Sequence, residues 1–173
     1  MRQIILYVII VILIAGAGWF FFGRSGNNET SPAAELRSAP EFTLKDYEGK
    51  EVRLADFQGK AVVVNAWAAW CPFCLEELKD FALLQQEFGD KIAIIAVDRA
   101  EPLGTAKKFS DDLGVTDKMI FLLDPSDSFY QSIGGFSMPE TIFVDKDGFT
   151  RGHKRGPMKL EEMRRRTQEA FGL

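Results

Sequence analysis

Both cysteines of this chain fall in one short stretch, NAWAAWCPFCLEE at 65–77, as Cys71 and Cys74 with Pro72 and Phe73 between them and Trp70 in front. Thiols at that spacing admit four chemistries: a structural staple, metal ligation, inert burial, or reversible dithiol–disulfide exchange. A bridge between residues three apart closes a tiny loop and constrains little of the unfolded chain, so a staple would stabilise little. Zinc normally takes four ligands, and the chain offers one cysteine pair and a single histidine, His153, so a zinc site within the chain is a poor fit. Inert burial stays open, but a tryptophan before the pair and a proline inside it mark a strand-to-helix turn, not a helix interior. Exchange is the strongest of the four readings.

The flanking elements say how exchange would work. AVVVNAW (61–67) is an unbroken apolar, β-branched run, as a strand buried on both faces should be. Leu75, Leu78, Phe81, Ala82, Leu84, Gln85 and Phe88 recur at helical spacing up to Gly89. A helix starting at the cysteines places Pro72 at its first position, where a missing N–H costs nothing, and Cys71 at its N-cap. The positive helix end and its unpaired N–H groups then lower the Cys71 thiol pKa and favour an attacking thiolate. Cys74, one turn in, is expected to be buried and protonated until needed. Cys71 would attack a partner disulfide, and Cys74 would resolve the mixed disulfide. Trp70 is expected to shield the pair and shape the docking surface.

The rest of the chain has ordinary globular composition, with 46% hydrophobic and 27% charged residues and a formal net charge of −4. That charge argues against a nucleic-acid binder. Arg164, Arg165 and Arg166 lie in a predicted helix and read as a solvated face. From Pro40 the pattern is α/β. A hairpin signal surrounds Glu48-Gly49, further strands are expected at 91–97, 119–124 and 141–145, and Ala106, Phe109 and Leu113 mark a short helix. Asp147-Gly148 turns into a strand at 149–155, and an amphipathic helix carries Leu160, Met163, Thr167 and Ala170. The fold class is α/β, a mixed central sheet with helices on both faces. Asp98 and Glu101 end the second strand, with no spacing to assign them a role, and His153 reads as a strand-end surface residue.

The front is different. No charge interrupts the nineteen residues from Ile4 to Phe22. As a helix they span about 28 Å, near the hydrocarbon thickness of a bilayer. Trp19 and Phe20 to Phe22 lie where an aromatic belt would sit. Residues 1–22 are therefore expected to be a transmembrane anchor, with cleavage after Ala15-Gly16-Ala17 as the competitor. Residues 23–39 are expected to be a polar tether and 40–173 the domain, on the extracytoplasmic side of the cell membrane.

VVVNAWAAWCPFCLEEL, with the opening APEFTLKDYEGKEVRLADFQGKAVVVNAW and a later GGFSMPETIFVDKDG, resembles the membrane-anchored thioredoxin-like proteins of the TlpA/ResA type from about Pro40 to the C-terminus. The resemblance implies a thioredoxin fold with an N-terminal hairpin extension. It also implies extracytoplasmic thiol–disulfide exchange, with protein disulfides such as those of apocytochrome c as substrates. It implies a cis-proline at Pro139 and a substrate-pairing backbone at Met138, facing Trp70, Pro72 and Phe73. Glu77 stands where the family's reductases carry an acid/base glutamate. Asn65 replaces the buried aspartate of cytosolic thioredoxins, which shifts proton handling toward Glu77 or water. The implied electron source is a CcdA/DsbD-type transmembrane donor. No nicotinamide or flavin motif is present, so the redox group is the cysteine pair, with no cofactor or metal expected. Two rivals are a copper(I)-binding or chaperone module using Cys71, Cys74 and Met138, and a peroxiredoxin-like peroxidase. The peroxidase is disfavoured by Ala68, where a hydroxyl would be needed.

Overall fold

The computed structural model describes residues 37–173. The expected anchor and most of the tether lie outside the described residues, among which no helix is long and apolar enough to cross a membrane.

Seven strands form one sheet in the order β2-β1-β5-β4-β3-β6-β7. They are β1 (Thr43–Asp46), β2 (Glu51–Arg53), β3 (Ala61–Trp67), β4 (Ile92–Arg99), β5 (Ile120–Asp124), β6 (Glu140–Val144) and β7 (Thr150–Arg155). The helices are α1 (Cys74–Phe88), α2 (Leu103–Asp112), α3 (Ser128–Ser132) and α4 (Leu160–Phe171). β3, β4 and β5 run parallel, and β6 and β7 pair antiparallel on one side. On the other side β1 pairs antiparallel with both β5 and β2.

β3 sits at the centre because it can. Val62, Val63, Val64, Ala66 and Trp67 are all sealed from solvent, which only a strand covered on both faces achieves. Alternation divides its side chains between two layers. Val62, Val64 and Ala66 meet Phe42, Leu54 and Phe129 on one side. On the other, Val63 packs with Phe81, Leu84 and Met163 from α1 and α4, and Trp67 with Leu78 and Ala106 from α1 and α2. Trp67 also stacks on Phe109 at 5.5 Å and meets Phe121 edge-on at 5.8 Å.

Two boundaries differ from expectation. The tether does not run to 39: Ser38 bridges Phe149, the Ala39 N–H donates to the Gly148 carbonyl at 2.8 Å, and Ala39 is buried. Gly148 itself adopts φ +85° in the β6–β7 turn, the left-handed region open to glycine. The helix after β3 also starts late, at Cys74 instead of at Pro72. Residues 71–74 form a turn closed by the Cys74 N–H on the Cys71 carbonyl at 3.1 Å, with Pro72 inside it and not at the first helical position. The position before the helix proper is Phe73.

Candidate active site

Strand β3 delivers the chain to the end of the sheet, and the turn that follows carries the cysteines. Cys71 and Cys74 are joined in a disulfide with Cα atoms 5.4 Å apart. Both are buried in this oxidised form, Cys71 at 2% and Cys74 at 0% exposure, in the cluster of Trp67, Leu78 and Phe121. The residues around them face outward: Trp70 is 61% exposed, Phe73 is 60% exposed, and Pro72 is exposed. Cys71 was expected as the attacking thiol, with Trp70 shielding the pair; the fold seals both oxidised sulfurs by itself and turns Trp70 outward.

Met138 and Pro139 arrive at the same end on the segment before β6. Their peptide bond is cis, Pro139 is buried, and Met138 packs against the cluster that holds both cysteines. Several contacts fix this segment. The Tyr130 hydroxyl donates to the Ser137 carbonyl at 2.8 Å, and Gly135 lies so close to the Tyr130 ring that a Cβ there would come within 2.3 Å of it. Arg99 covers the other side of that ring at 3.4 Å and is bonded to Asp127. Phe136, at 85% exposure, adds a third outward aromatic that the sequence reading did not single out.

Glu77 lies one helical turn beyond Cys74 and is 1% exposed. Its Oε1 accepts the Met158 N–H at 2.9 Å, and its Oε2 accepts the Asn65 amide at 3.0 Å. Burial pushes its carboxyl up to about 8, against the downward pull of the Met158 and Asn65 bonds and of Lys154. Asn65, noted in the sequence only as a replacement, is thus the side chain that ties β3 to Glu77. It also donates to Thr141 Oγ1 at 3.0 Å. Glu76 is exposed beside Lys79.

Glu140, directly after Pro139, escaped the sequence reading. It is fully buried, and its Oε1 accepts the N–H groups of Phe136 and Ser137, both at 2.6 Å. His153 Nε2 meets Oε2 at 2.7 Å, so the histidine is a partner of the proline segment and not a bare surface residue. Asp98 and Glu101 also reach the site: the Glu101 Oε2 accepts the Ala69 N–H at 2.6 Å, two residues before Cys71. A pairing signal existed for both, since β6–β7 register sets Ile142 opposite His153, and β3–β4 register sets Trp67 beside Asp98. Register is what a single sequence lacks. Among the described residues no cluster of histidine, cysteine and acidic side chains could hold a metal ion.

The arrangement can exchange thiols for disulfides: a sulfur pair at a strand-to-helix turn, a buried proton carrier one turn away, and a fixed segment beside it to receive a peptide. Comparison with known proteins agrees. The family model described as Redoxin matches residues 35–170. The thiol-disulfide oxidoreductase ResA of Geobacillus thermodenitrificans is 30% identical over 166 residues, covering 94% of this chain and 92% of its own. A putative thiol:disulfide interchange protein DsbE from Chlorobium tepidum superposes with a TM-score of 0.72 at 24% identity over 78% of this chain and 96% of that one, which gives a thioredoxin-like fold. The exposed lipoprotein thioredoxin of Streptococcus pneumoniae strain TIGR4 reaches a TM-score of 0.65 at 29% identity over 75% of this chain and 99% of that one.

Proposed function

Because the chain belongs to the redoxin family and is a thiol-disulfide oxidoreductase of the ResA/DsbE type, we propose that it reduces disulfides of exported proteins, apocytochrome c among them, outside the cytoplasm. Residues 4–22 hold it to the membrane, and a CcdA/DsbD-type donor recharges it. The apolar run before the domain and the similarity to an exposed lipoprotein support the location.

The observation that carries the exchange chemistry is Glu77, buried one turn beyond Cys74 and bonded to the Met158 N–H and the Asn65 amide. Held near 8, it keeps its proton at neutral pH while the cysteines are bridged. Recharging begins when a donor thiolate attacks the Cys71 sulfur. The Cys71–Cys74 bond breaks, and the leaving Cys74 thiolate takes the proton that Glu77 holds one turn away. A second donor thiolate then frees Cys71, and the pair has gained two electrons. In the forward reaction the Cys71 thiolate attacks a substrate disulfide and one substrate thiolate leaves, taking a proton from solvent. Glu77, now a carboxylate, accepts the Cys74 proton. The Cys74 thiolate attacks Cys71, releases the second substrate sulfur and restores the disulfide. Trp70, Phe73 and Phe136 offer apolar surface to the incoming chain, Pro72 shapes the turn between the cysteines, and the Met138 backbone beside Pro139 pairs with it.

The test is the reduction potential of the Cys71–Cys74 pair in the full chain, equilibrated against glutathione. A value of about −250 mV or lower fits a reductase. A value near about −120 mV marks an oxidant and removes both the direction and the role of Glu77.

A further inference from the structure

A second pair of carboxyl groups stands beside the cysteine turn, and the reaction as described does not use it. At the end of β4 the chain turns through Ala100 at φ +58°, a left-handed conformation that costs a residue with a Cβ. The Ala100 N–H is held by the Asp124 carbonyl at 3.0 Å. This turn sends Glu101 back over β3, where its Oε2 takes the Ala69 N–H at 2.6 Å. Asp98 braces it: its Oδ1 accepts the Glu101 N–H at 3.1 Å, and the Glu101 carboxyl bears on the Asp98 carboxyl electrostatically. Asp98 is fully buried, and its Oδ2 has no partner.

An orphaned carboxylate oxygen in the interior is costly, and two ionised carboxyls at such range repel. One proton on Asp98 resolves both. Oδ2 becomes a donor toward Glu101, whose Oε2 keeps the Ala69 N–H. Burial, the hydrogen bond to Glu101 and the Glu101 charge all favour that proton. Asp124 from β5 and the Tyr47 phenol after β1 also face the pair, and neither is a cation. Arg99, next in the chain, is engaged by Asp127.

We propose that Glu101, oriented by Asp98, is a positioning residue for the disulfide site: it pins the Ala69 amide, and with it the turn that presents Trp70 and Cys71, and it loosens when the shared proton leaves. The inference rests on Cys71 being the attacking thiol.

The test follows Cys71 in the reduced full chain by iodoacetamide alkylation from about pH 5 to about pH 10, alongside reduction of oxidised glutathione. Wild type shows an alkaline inflection beyond that of a single thiol. Asp98→Asn puts a permanent amide donor where the proton sits, and the inflection disappears. Glu101→Ala slows exchange by about tenfold below the wild-type inflection and by less above it, since a misplaced reacting group costs that much or more. Glu101→Gln, which can still accept the Ala69 N–H, recovers most of the loss. The proposal is overturned if Asp98→Asn keeps the wild-type profile, or if Glu101→Ala and Glu101→Gln both stay within about twofold of wild type. Cys71→Ser separates the two levels. Exchange surviving in that variant removes the nucleophile assignment itself; exchange lost there, with the carboxyl variants behaving as wild type, removes only the positioning role.

Discussion

Glu77 and Glu140 are both sealed from solvent, at 1% and 0% exposure, yet their carboxyls titrate in opposite directions. Desolvation pushes both upward. At Glu77 it wins over one backbone N–H, one neutral amide and the more distant Lys154. At Glu140 it loses to the Ser137 and Phe136 N–H groups and to His153, which together hold the carboxyl below its ordinary range. Arg155 adds a guanidinium at 3.7 Å. Glu77 lies deeper in the protein than Glu140, and Glu140 has stronger donors, so depth of burial and the number and charge of the donors together set the two directions. One carboxyl is held above its ordinary range beside the cysteine helix start, and the other below it at the centre of a loop.

The sharpest way to break this contrast is Glu77→Gln, which keeps shape and removes the proton. Stopped-flow disulfide reduction should fall by about a hundredfold. A loss under about threefold would make Glu77 a packing residue. Glu140→Ala strands two N–H groups and His153, and urea denaturation should show a cost of about 2–4 kcal/mol, with KM for a disulfide peptide rising more than kcat falls. Equal loss in both constants would place Glu140 in the chemistry.

The pH dependence of stability separates the two glutamates by sign. The folded chain keeps the Glu77 proton to about 8, whereas the unfolded chain releases it near the ordinary value of 4.5. Stability from this group is complete below about 4.5 and declines as pH rises toward 8. Glu140 does the reverse: its stabilisation is present above the unfolded value and is lost as pH falls through the lower folded one. Urea midpoints across pH should lose the alkaline decline in Glu77→Gln, an effect of about 4–5 kcal/mol for a carboxyl raised from 4.5 to about 8, and the acid decline in Glu140→Gln. A Glu77→Gln profile parallel to wild type would contradict the proton at Glu77. The smallest effect belongs to Asn65→Ala, at about 1 kcal/mol. Removing the amide donor should move the Glu77 titration further upward, as read by carbonyl infrared absorption; a downward movement would mean Asn65 does not stabilise the anion.

The elements that bear this contrast were unequally legible. The span 61–67 is read off its β-branched run and matches β3 residue for residue, and the strands near 92, 120 and 140 fall within a few positions of expectation. Glu77 was legible because it shares a helix with Cys74, so its spacing is local. Glu140, Asp98 and Glu101 were not, because their partners are 3 to 32 residues away and are set by strand register and by a left-handed turn at an alanine. α3 was missed because five residues, SFYQS, carry no period to read. The late start of α1 has a similar cause: Pro72 suits a first helical position and an isolated turn equally, and only tertiary packing chooses.

The sheet ends on two strands of high charge, β2 with Glu51 and Arg53, and β7 with Arg151, His153, Lys154 and Arg155. Such borders resist being extended by a foreign strand. For an oxidoreductase of protein disulfides this matters. An extended chain meets unwelcoming borders at both sides of the sheet and the apolar rings of Trp70, Phe73 and Phe136 near the disulfide, so strand addition and contact with the site fall on different parts of the surface.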